Sequence, residues 1–316
     1  MTTERCVRPK RRKIKWMRIL FICVMLAYPI FQLVLFWLAP NFDSLISAFI
    51  KINPRLGLRE FSFSNFQKLF REFGTPDSQL MRGVINSFWY FVATVVVGIP
   101  LTILLAYFIY KKIFGSKVFR VIFFLPSIIS GVVLATLFVT FIQYPVSPFN
   151  QLMAKIMKVD PIDTPDLLSK YKVLTICVYT VWTGFGVNLV MFNTAMHRVP
   201  ADVIEYGKIE GVGMVRELVQ IVIPMIFPTL TTVLLLGIAG YFTFIQPVML
   251  FRPMPNGDLT GTSWSVAYYI YYLFKGKTRP DVNYACAVGV FFAAVGTPVV
   301  IGIKWLMNKA VAAVEY

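Results

Sequence analysis

The residues of this 316-residue chain best suited to specific chemistry sit in one polar segment, Glu205-Tyr-Gly-Lys-Ile-Glu-Gly211, followed by Ile221-Val-Ile-Pro224. Carboxylates can make polar contacts to a partner, glycines force a break, and a proline opens the next helix. That is the chemistry of docking, not of bond breaking. Elsewhere reactive residues are scattered. The sole histidine, His197, has no carboxylate or cysteine beside it, which disfavours hydrolytic and metal chemistry. Cys23, Cys177 and Cys286 fall in apolar stretches and Cys6 in a basic tail, so neither a disulfide framework nor a metal site is indicated. Gly276-Lys277-Thr278 lacks the glycine that a phosphate loop needs five residues earlier, where Tyr271 stands.

The elements that position this segment are apolar. With 57% hydrophobic and 15% charged residues, the chain is too apolar for a soluble globular protein. Six stretches are long enough to cross a bilayer as helices: Met17–Leu38, Phe88–Tyr110, Val121–Ile142, Val173–Ala195, Ile226–Val248 and Tyr284–Met307. Alternating strand patterns are absent, so a polytopic helical bundle is expected. The first run is too long for a signal h-region and reads as a retained span. The expected division is a basic tail over residues 1–16, a six-helix domain over 17–308 containing an inner loop at 196–224, and a short tail over 309–316.

The net charge of +16 gathers at membrane boundaries. Seven basic residues from Arg5 to Lys15 precede the first span, and Lys111, Lys112, Lys117 and Arg120 fill the connection between the second and third. By the positive-inside rule both clusters face the cytoplasm, which places both termini there and disfavours nucleic acid as a partner. Spans two to five contain no Asp, Glu, Lys, Arg or His. Ion-coupled carriers hold such groups in the bilayer. Transport by this chain would therefore draw its energy from outside it.

The loop from Met196 to Pro224 is the expected entry point. Pro200 suits a first helical turn, and Asp202 and Glu205 complement the helix dipole. Val203, Ile204, Tyr206 and Ile209 give an apolar side, and Gly211 and Gly213 halt the helix. A second helix runs over Met214–Ile223, and Pro224 and Pro228 mark entry to the fifth span. The product is a short helix lying across the cytoplasmic surface, either a docking element or an ordinary interfacial helix. Outside, Ala39–Ser87 should hold short packed or interfacial helices. The tyrosines of Trp264–Phe274 serve either as interfacial aromatics or as sugar-stacking faces.

The spacing Glu205, five residues, Gly211, nine residues, Ile221-x-Ile223-Pro224 resembles the cytoplasmic signature of bacterial ABC importer permeases, Glu-Ala-Ala, three residues, Gly, nine residues, Ile-x-Leu-Pro. The departures are Tyr206-Gly207 for the alanines, Ile223 for the leucine and Glu210 for an aspartate. Gly207 suggests a looser helix or a partner groove shaped for Tyr206. Asn86-Ser87, Phe119-Arg120, Leu125-Pro126 and Arg198-Val199-Pro200 are similar to the maltose-type oligosaccharide uptake group.

The resemblance implies an all-α membrane protein, a six-transmembrane-helix type I ABC importer permease with a cytoplasmic coupling helix. It implies a second permease subunit, two cytoplasmic ATPase subunits that use ATP and Mg, and an extracytoplasmic solute-binding protein. No cofactor would be bound by this chain. Asp202, Glu205, Tyr206, Gly207, Glu210, Gly211 and Pro224 would form the ATPase-docking region. A sugar path needs uncharged polar and aromatic groups, for which Thr180, Thr183, Gly184, Asn188, Gly237, Gly240, Tyr241 and Gln246 are candidates. Packing by small residues is the alternative for them. Another polar solute, such as a polyamine, phosphate ester or amino acid, is the alternative cargo. An ion-coupled secondary carrier lacks a coupling site.

Overall fold

A computed structural model describes residues 16–52, 59–143, 147–168, 170–251, 262–276 and 280–312. The basic tail before Trp16, Pro145, Lys277-Thr278 and the last four residues lie outside the described residues. Helix α1 (Arg18–Ala48) leads into a hairpin of β1 (Ile50–Ile52) and β2 (Arg59–Phe61), antiparallel with Ile50 opposite Phe61. Then follow α2 (Ser64–Phe73), α3 (Gln79–Tyr110), α4 (Ser116–Ile128), α5 (Gly131–Ile142) and α6 (Pro148–Met157). The chain continues through α7 (Lys172–Met196), α8 (Ala201–Ile209), α9 (Met214–Met225), α10 (Phe227–Thr243), α11 (Gln246–Leu250), α12 (Val266–Tyr271) and α13 (Val282–Ala312).

Among the described residues, four helices, α1, α3, α7 and α13, are long and apolar enough to cross a membrane unbroken. Counting each of two bent pairs as one span gives six. The third expected span, Val121–Ile142, is not one continuous helix: α4 and α5 meet at 108°. Pro126 removes a ladder donor near the end of α4, and Ile129 and Ser130 are extended before Gly131 restarts the helix. The fifth expected span, Ile226–Val248, is also revised. It begins at a 78° bend after Met225 and ends at Thr243, leaving Gln246 on a separate short helix.

Three π-helical turns, Leu33–Leu38, Val92–Gly98 and Leu218–Val222, each end two residues before a proline: Pro40, Pro100 and Pro224. A proline ring collides with the carbonyl four residues earlier and offers no N–H. A locally widened helix accommodates both demands. In this way the long helices α1 and α3 carry Pro40 and Pro100 without breaking, whereas α4 and α9, which hold Pro126 and Pro224, each end at a bend.

The segment Ala39–Ser87, expected to hold short packed or interfacial helices, contributes to long helices as well among its described residues. Leu45–Ala48 ends the long α1, whose Ala39–Ala48 part packs along α13, and Phe61–Phe66 spans β2 and the start of α2. The aromatic run near α12 is core, which replaces both the stacking and the interfacial readings for its buried rings: Trp264, Tyr268 and Tyr269 are buried with Tyr90, Tyr179 and Tyr284. Asn86 and Ser87 lie within α3, not at its start. The Asn86 amide donates to the Thr262 and Trp264 carbonyls (2.9 and 3.0 Å), and the Ser87 hydroxyl accepts from the Val266 N–H (2.9 Å). A second apolar cluster at the other end of α3 and α7, including Tyr107, Leu189, Phe192 and Met196, also takes in Ile204 and Leu218. The inner loop is thus part of the bundle core.

Candidate functional site

Helix α8 starts where its sequence dictates. Pro200 is the extended residue before it (φ −58°, ψ 135°), and Asp202 and Lys208 sit at the ends that suit their charges. At the other end Gly211 adopts φ +73°, the left-handed conformation that glycine takes without a Cβ penalty. The Gly211 N–H donates to Lys208 and the Val212 N–H to Gly207, closing the helix. Gly213 is extended (φ −68°, ψ 160°) as the residue before α9, so Gly211 alone makes the left-handed turn.

The expected single apolar side of α8 is divided. Ile204 points into the core, while Val203, Tyr206 and Ile209 face outward, with Tyr206 70% and Ile209 82% exposed. Positions 203, 206 and 209 share one face by helical spacing. Asp202, Glu205 and Glu210 are exposed around that stripe. Gly207 is buried, and the helix runs through it unloosened. A Cβ there would lie 2.9 Å from Ile221 Cδ1, so the glycine admits the isoleucine of the following helix. Pro224 is half-buried at the start of the last turn of α9.

The start of α9, just beyond α8, is clamped to the end of α3. Lys111 forms an ion pair with Glu217 of α9, whose residue is only 4% exposed. The Tyr107 hydroxyl donates to the Met214 carbonyl (3.1 Å), and the Lys111 ammonium lies 5.5 Å from the Tyr107 ring centroid. Arg120 donates to Asn193 Oδ1 (3.1 Å), and Asn193 Nδ2 donates to the Ala106 carbonyl (3.3 Å). His197 Nδ1 meets the Asn193 carbonyl at 2.8 Å, and its ring stands edge-on to Tyr110. Sequence reasoning took Lys111 and Arg120 as topogenic charges and passed over Glu217. The available signal was a lone acid in a helix, Met214–Met225, whose other polar residues, Arg216 and Gln220, bond each other.

The candidate path residues do not converge on one site. Thr180 and Thr183 spend their hydroxyls on their own helix, bonding the Ile176 carbonyl (2.7 Å) and the Tyr179 carbonyl (3.0 Å). Gly237 is a packing glycine, since a Cβ there would lie 2.7 Å from Val95 Cγ2. Tyr241 donates to the Val84 carbonyl (3.3 Å) and packs edge-on to Phe91. Gly184 and Gly240 have open space at the Cβ position, and Asn188 is half-buried. Gln246 is exposed and reaches the break of the third span, where its amide nitrogen would lie 2.8 Å from a Cβ on Gly131. The Tyr179 hydroxyl reaches the Gly131 carbonyl there (3.4 Å). Among the described residues no group of three His, Cys, Asp or Glu is placed to hold a metal ion.

This bundle, with two bent spans and a short helix clamped to one end, has the fold of solved ABC transporter chains. One is from a bacterial alginate ABC transporter in complex with an alginate-pentasaccharide-bound periplasmic protein. It aligns with a TM-score of 0.80 and 21% identity over 96% of this chain and 99% of that chain. Residues 98–310 match the binding-protein-dependent transport system inner membrane component family, and the chain belongs to that family. Its relatives include a probable ABC transporter permease protein of Mycoplasma pneumoniae, 25% identical over 83% of this chain and 78% of that protein. The diacetylchitobiose uptake system permease protein NgcF of Streptomyces coelicolor is 24% identical over 96% of this chain and 86% of that protein. The arabinooligosaccharides transport system permease protein AraP of Bacillus subtilis is 25% identical over 83% and 80%.

Proposed function

We propose that this chain is one permease subunit of an ATP-driven importer that passes an oligosaccharide, delivered by an extracytoplasmic binding protein, through the cytoplasmic membrane. The observation that carries the reading is α8: a rigidly rooted helix whose outward face is an apolar stripe fringed by carboxylates. A large exposed apolar strip with a polar rim marks a protein contact. Its occupant is a cytoplasmic ATPase, two copies of which bind and hydrolyse ATP with Mg, this chain binding neither. Tyr206 and Ile209 supply apolar contact, Asp202, Glu205 and Glu210 supply polar contact, Gly207 and Gly211 shape the helix, and Pro224 starts the return to the membrane. A second permease subunit completes the pathway.

Closure of the ATPases moves α8, and the root at Lys111–Glu217 passes that movement to α3 and α9. The bundle then exchanges inward- and outward-facing states, each favoured by different contacts. Both termini and the 111–120 connection lie in the cytoplasm, as the basic clusters require. The chain divides into the tail 1–16, the spanning domain 17–308 with its docking loop 196–224, and the tail 309–316. Sugar as cargo is supported by the names of the relatives and by spans free of charge. Of the path residues, Gly184, Asn188, Gly240 and Gln246 remain open to solute, while Thr180, Thr183, Gly237 and Tyr241 are committed to hydrogen bonds and packing within the bundle.

The test is co-expression with ATPase and permease partners, comparing Glu205→Lys and Gly211→Pro with the parent. Both variants should insert in the membrane yet lose ATPase on purification or hydrolyse ATP without uptake. Unchanged assembly and uptake in both would refute the docking role.

A further inference from the structure

The connection between α3 and α4 does more than carry topogenic charge. Of its four cations, Lys111 is committed to Glu217. The other three, Lys112, Lys117 and Arg120, border a cleft of about 590 Å³ beside His197. No carboxylate lines that cleft, and the hydrogen bond of Arg120 goes to the neutral Asn193 amide. Its positive charge is therefore not cancelled locally.

A second cavity, about 320 Å³, opens alongside it and is lined by Leu105, Phe108, Phe119 and Phe123. Ile109, Ile113, Phe114 and Ser116 line both, so the basic cleft and the apolar groove adjoin across this wall. The turn that separates them has defined geometry. Lys112 (φ 53°) and Gly115 (φ 80°) are left-handed, and the Ser116 N–H donates to the Ile113 carbonyl (2.9 Å). At its tip the Phe114 side chain is 98% exposed. A phenylalanine held out beyond a basic cleft at the end of membrane helices is placed to enter a lipid interface.

We infer that this cleft and groove form a binding site for an anionic phospholipid of the bilayer, with its phosphate among Lys112, Lys117 and Arg120 and its acyl chain along Phe108, Phe119 and Phe123. Charge and shape select this occupant together. A free anion satisfies the cleft and leaves the groove empty, whereas a zwitterionic lipid fills the groove but brings with its phosphate a headgroup cation that the cleft repels. The chain's own basic amino-terminal tail is repelled by a cleft of its own sign. Basic pockets between membrane helices recognise anionic headgroups in this way. The inference rests on the transporter reading only for which leaflet supplies the lipid. Loss of ATPase docking would leave the binding itself unchanged.

The test uses the full-length chain purified in neutral detergent. It is titrated with fluorescent phosphatidylglycerol, with phosphatidylcholine of the same acyl chains, and with inorganic phosphate as competitor. Phosphatidylglycerol should bind saturably and in preference to phosphatidylcholine. Lys112→Gln with Lys117→Gln should weaken that binding about thirty-fold, each surface cation contributing roughly five-fold. Both lysines are exposed, so a thermal melt matching the parent verifies that the fold is intact. Phe108→Ser should weaken both lipids. Equal binding of the two lipids, or no change in the double-lysine variant, would overturn the site. Displacement by phosphate at the lipid's own concentration would reassign it to a free anion. Binding to the isolated chain but not to the assembled transporter would make this face a subunit contact instead.

Discussion

The Lys111 ammonium rests on the Glu217 carboxylate and joins the end of α3 to the first turn of α9, just beyond α8. Both side chains are largely buried, Glu217 more than Lys111. Removing one partner of such a pair strands a charge away from water and costs about 3 kcal/mol, whereas removing both leaves an apolar contact at little net cost. Lys111→Met should therefore lower the melting temperature clearly, and Lys111→Met with Glu217→Met should recover most of the loss. A double-mutant cycle on thermal unfolding in detergent reads the coupling directly. Additive effects of the two substitutions would show that the pair does not act as a unit. If the pair transmits movement as well, the double variant should hydrolyse ATP with reduced coupling to uptake while keeping its ATPase.

Gly211 and Gly213 look alike in the sequence and differ in the fold. Gly211 holds φ +73°, where an added Cβ costs about 1–2 kcal/mol, and Gly213 holds an ordinary extended φ with open space around it. Gly211→Ala should loosen the docking helix and reduce ATPase retention, while Gly213→Ala should leave both unchanged. The measurement is co-purification of the ATPase at matched expression. Equal effects at the two positions would contradict the assigned turn.

The contrast between those glycines shows what could be read in advance. The loop from Met196 to Pro224 was legible as a helix–break–helix because polar residues stand out between apolar runs, and its caps and breaks follow from local chemistry. Which face of the helix turned inward was not legible. Val203, Ile204, Tyr206 and Ile209 are all apolar, and only the position of Ile221 and the Met196 cluster selects Ile204 for burial. The span positions followed from hydropathy, but hydropathy stays high through Pro126 and Ser130-Gly131, so the broken third span was invisible to it. Lys111 and Glu217 are far apart in the chain, and only the packing of α9 against the end of α3 pairs them. The path candidates fared worst, because a threonine in an apolar helix can satisfy its hydroxyl on the preceding turn. Thr180 and Thr183 do so.

Tyr269 gives a prediction with a pH dependence. Its hydroxyl donates to Glu72 Oε2 at 2.7 Å, tying α12 to α2. Burial, together with the Glu72 carboxylate, pushes the phenol well above its usual range, so it remains a donor at all physiological pH. Tyr269→Phe should cost about 1–2 kcal/mol at neutral pH by leaving a partly buried carboxylate without its donor. In the unfolded chain the phenol ionises near pH 10. A folded pKa above the unfolded one means that the contribution is complete below pH 10 and is lost as pH rises beyond it. The difference in melting temperature between parent and variant should thus be constant from pH 7 to 9 and shrink above pH 10. A gap that widens there would reverse the assigned direction.

The exposed stripe of α8 separates docking from stability. Tyr206 and Ile209 make little contact with their own chain, so Tyr206→Ala and Ile209→Ser should leave membrane insertion and thermal unfolding within experimental scatter of the parent. Buried aromatic anchors carry a large share of the binding energy at protein contacts, and loss of one such residue weakens a complex roughly ten-fold or more. Titrating the purified ATPase against the solubilised chain should show that loss for Tyr206→Ala and a smaller one for Ile209→Ser. Ile204→Ala should behave oppositely, lowering thermal stability because the side chain lies in the inner core. If Tyr206→Ala bound ATPase as the parent does while Ile204→Ala alone abolished binding, the outward stripe would be only a membrane-surface face. The ATPase would then be recognising the loop through its overall shape, not through the ring that this helix presents.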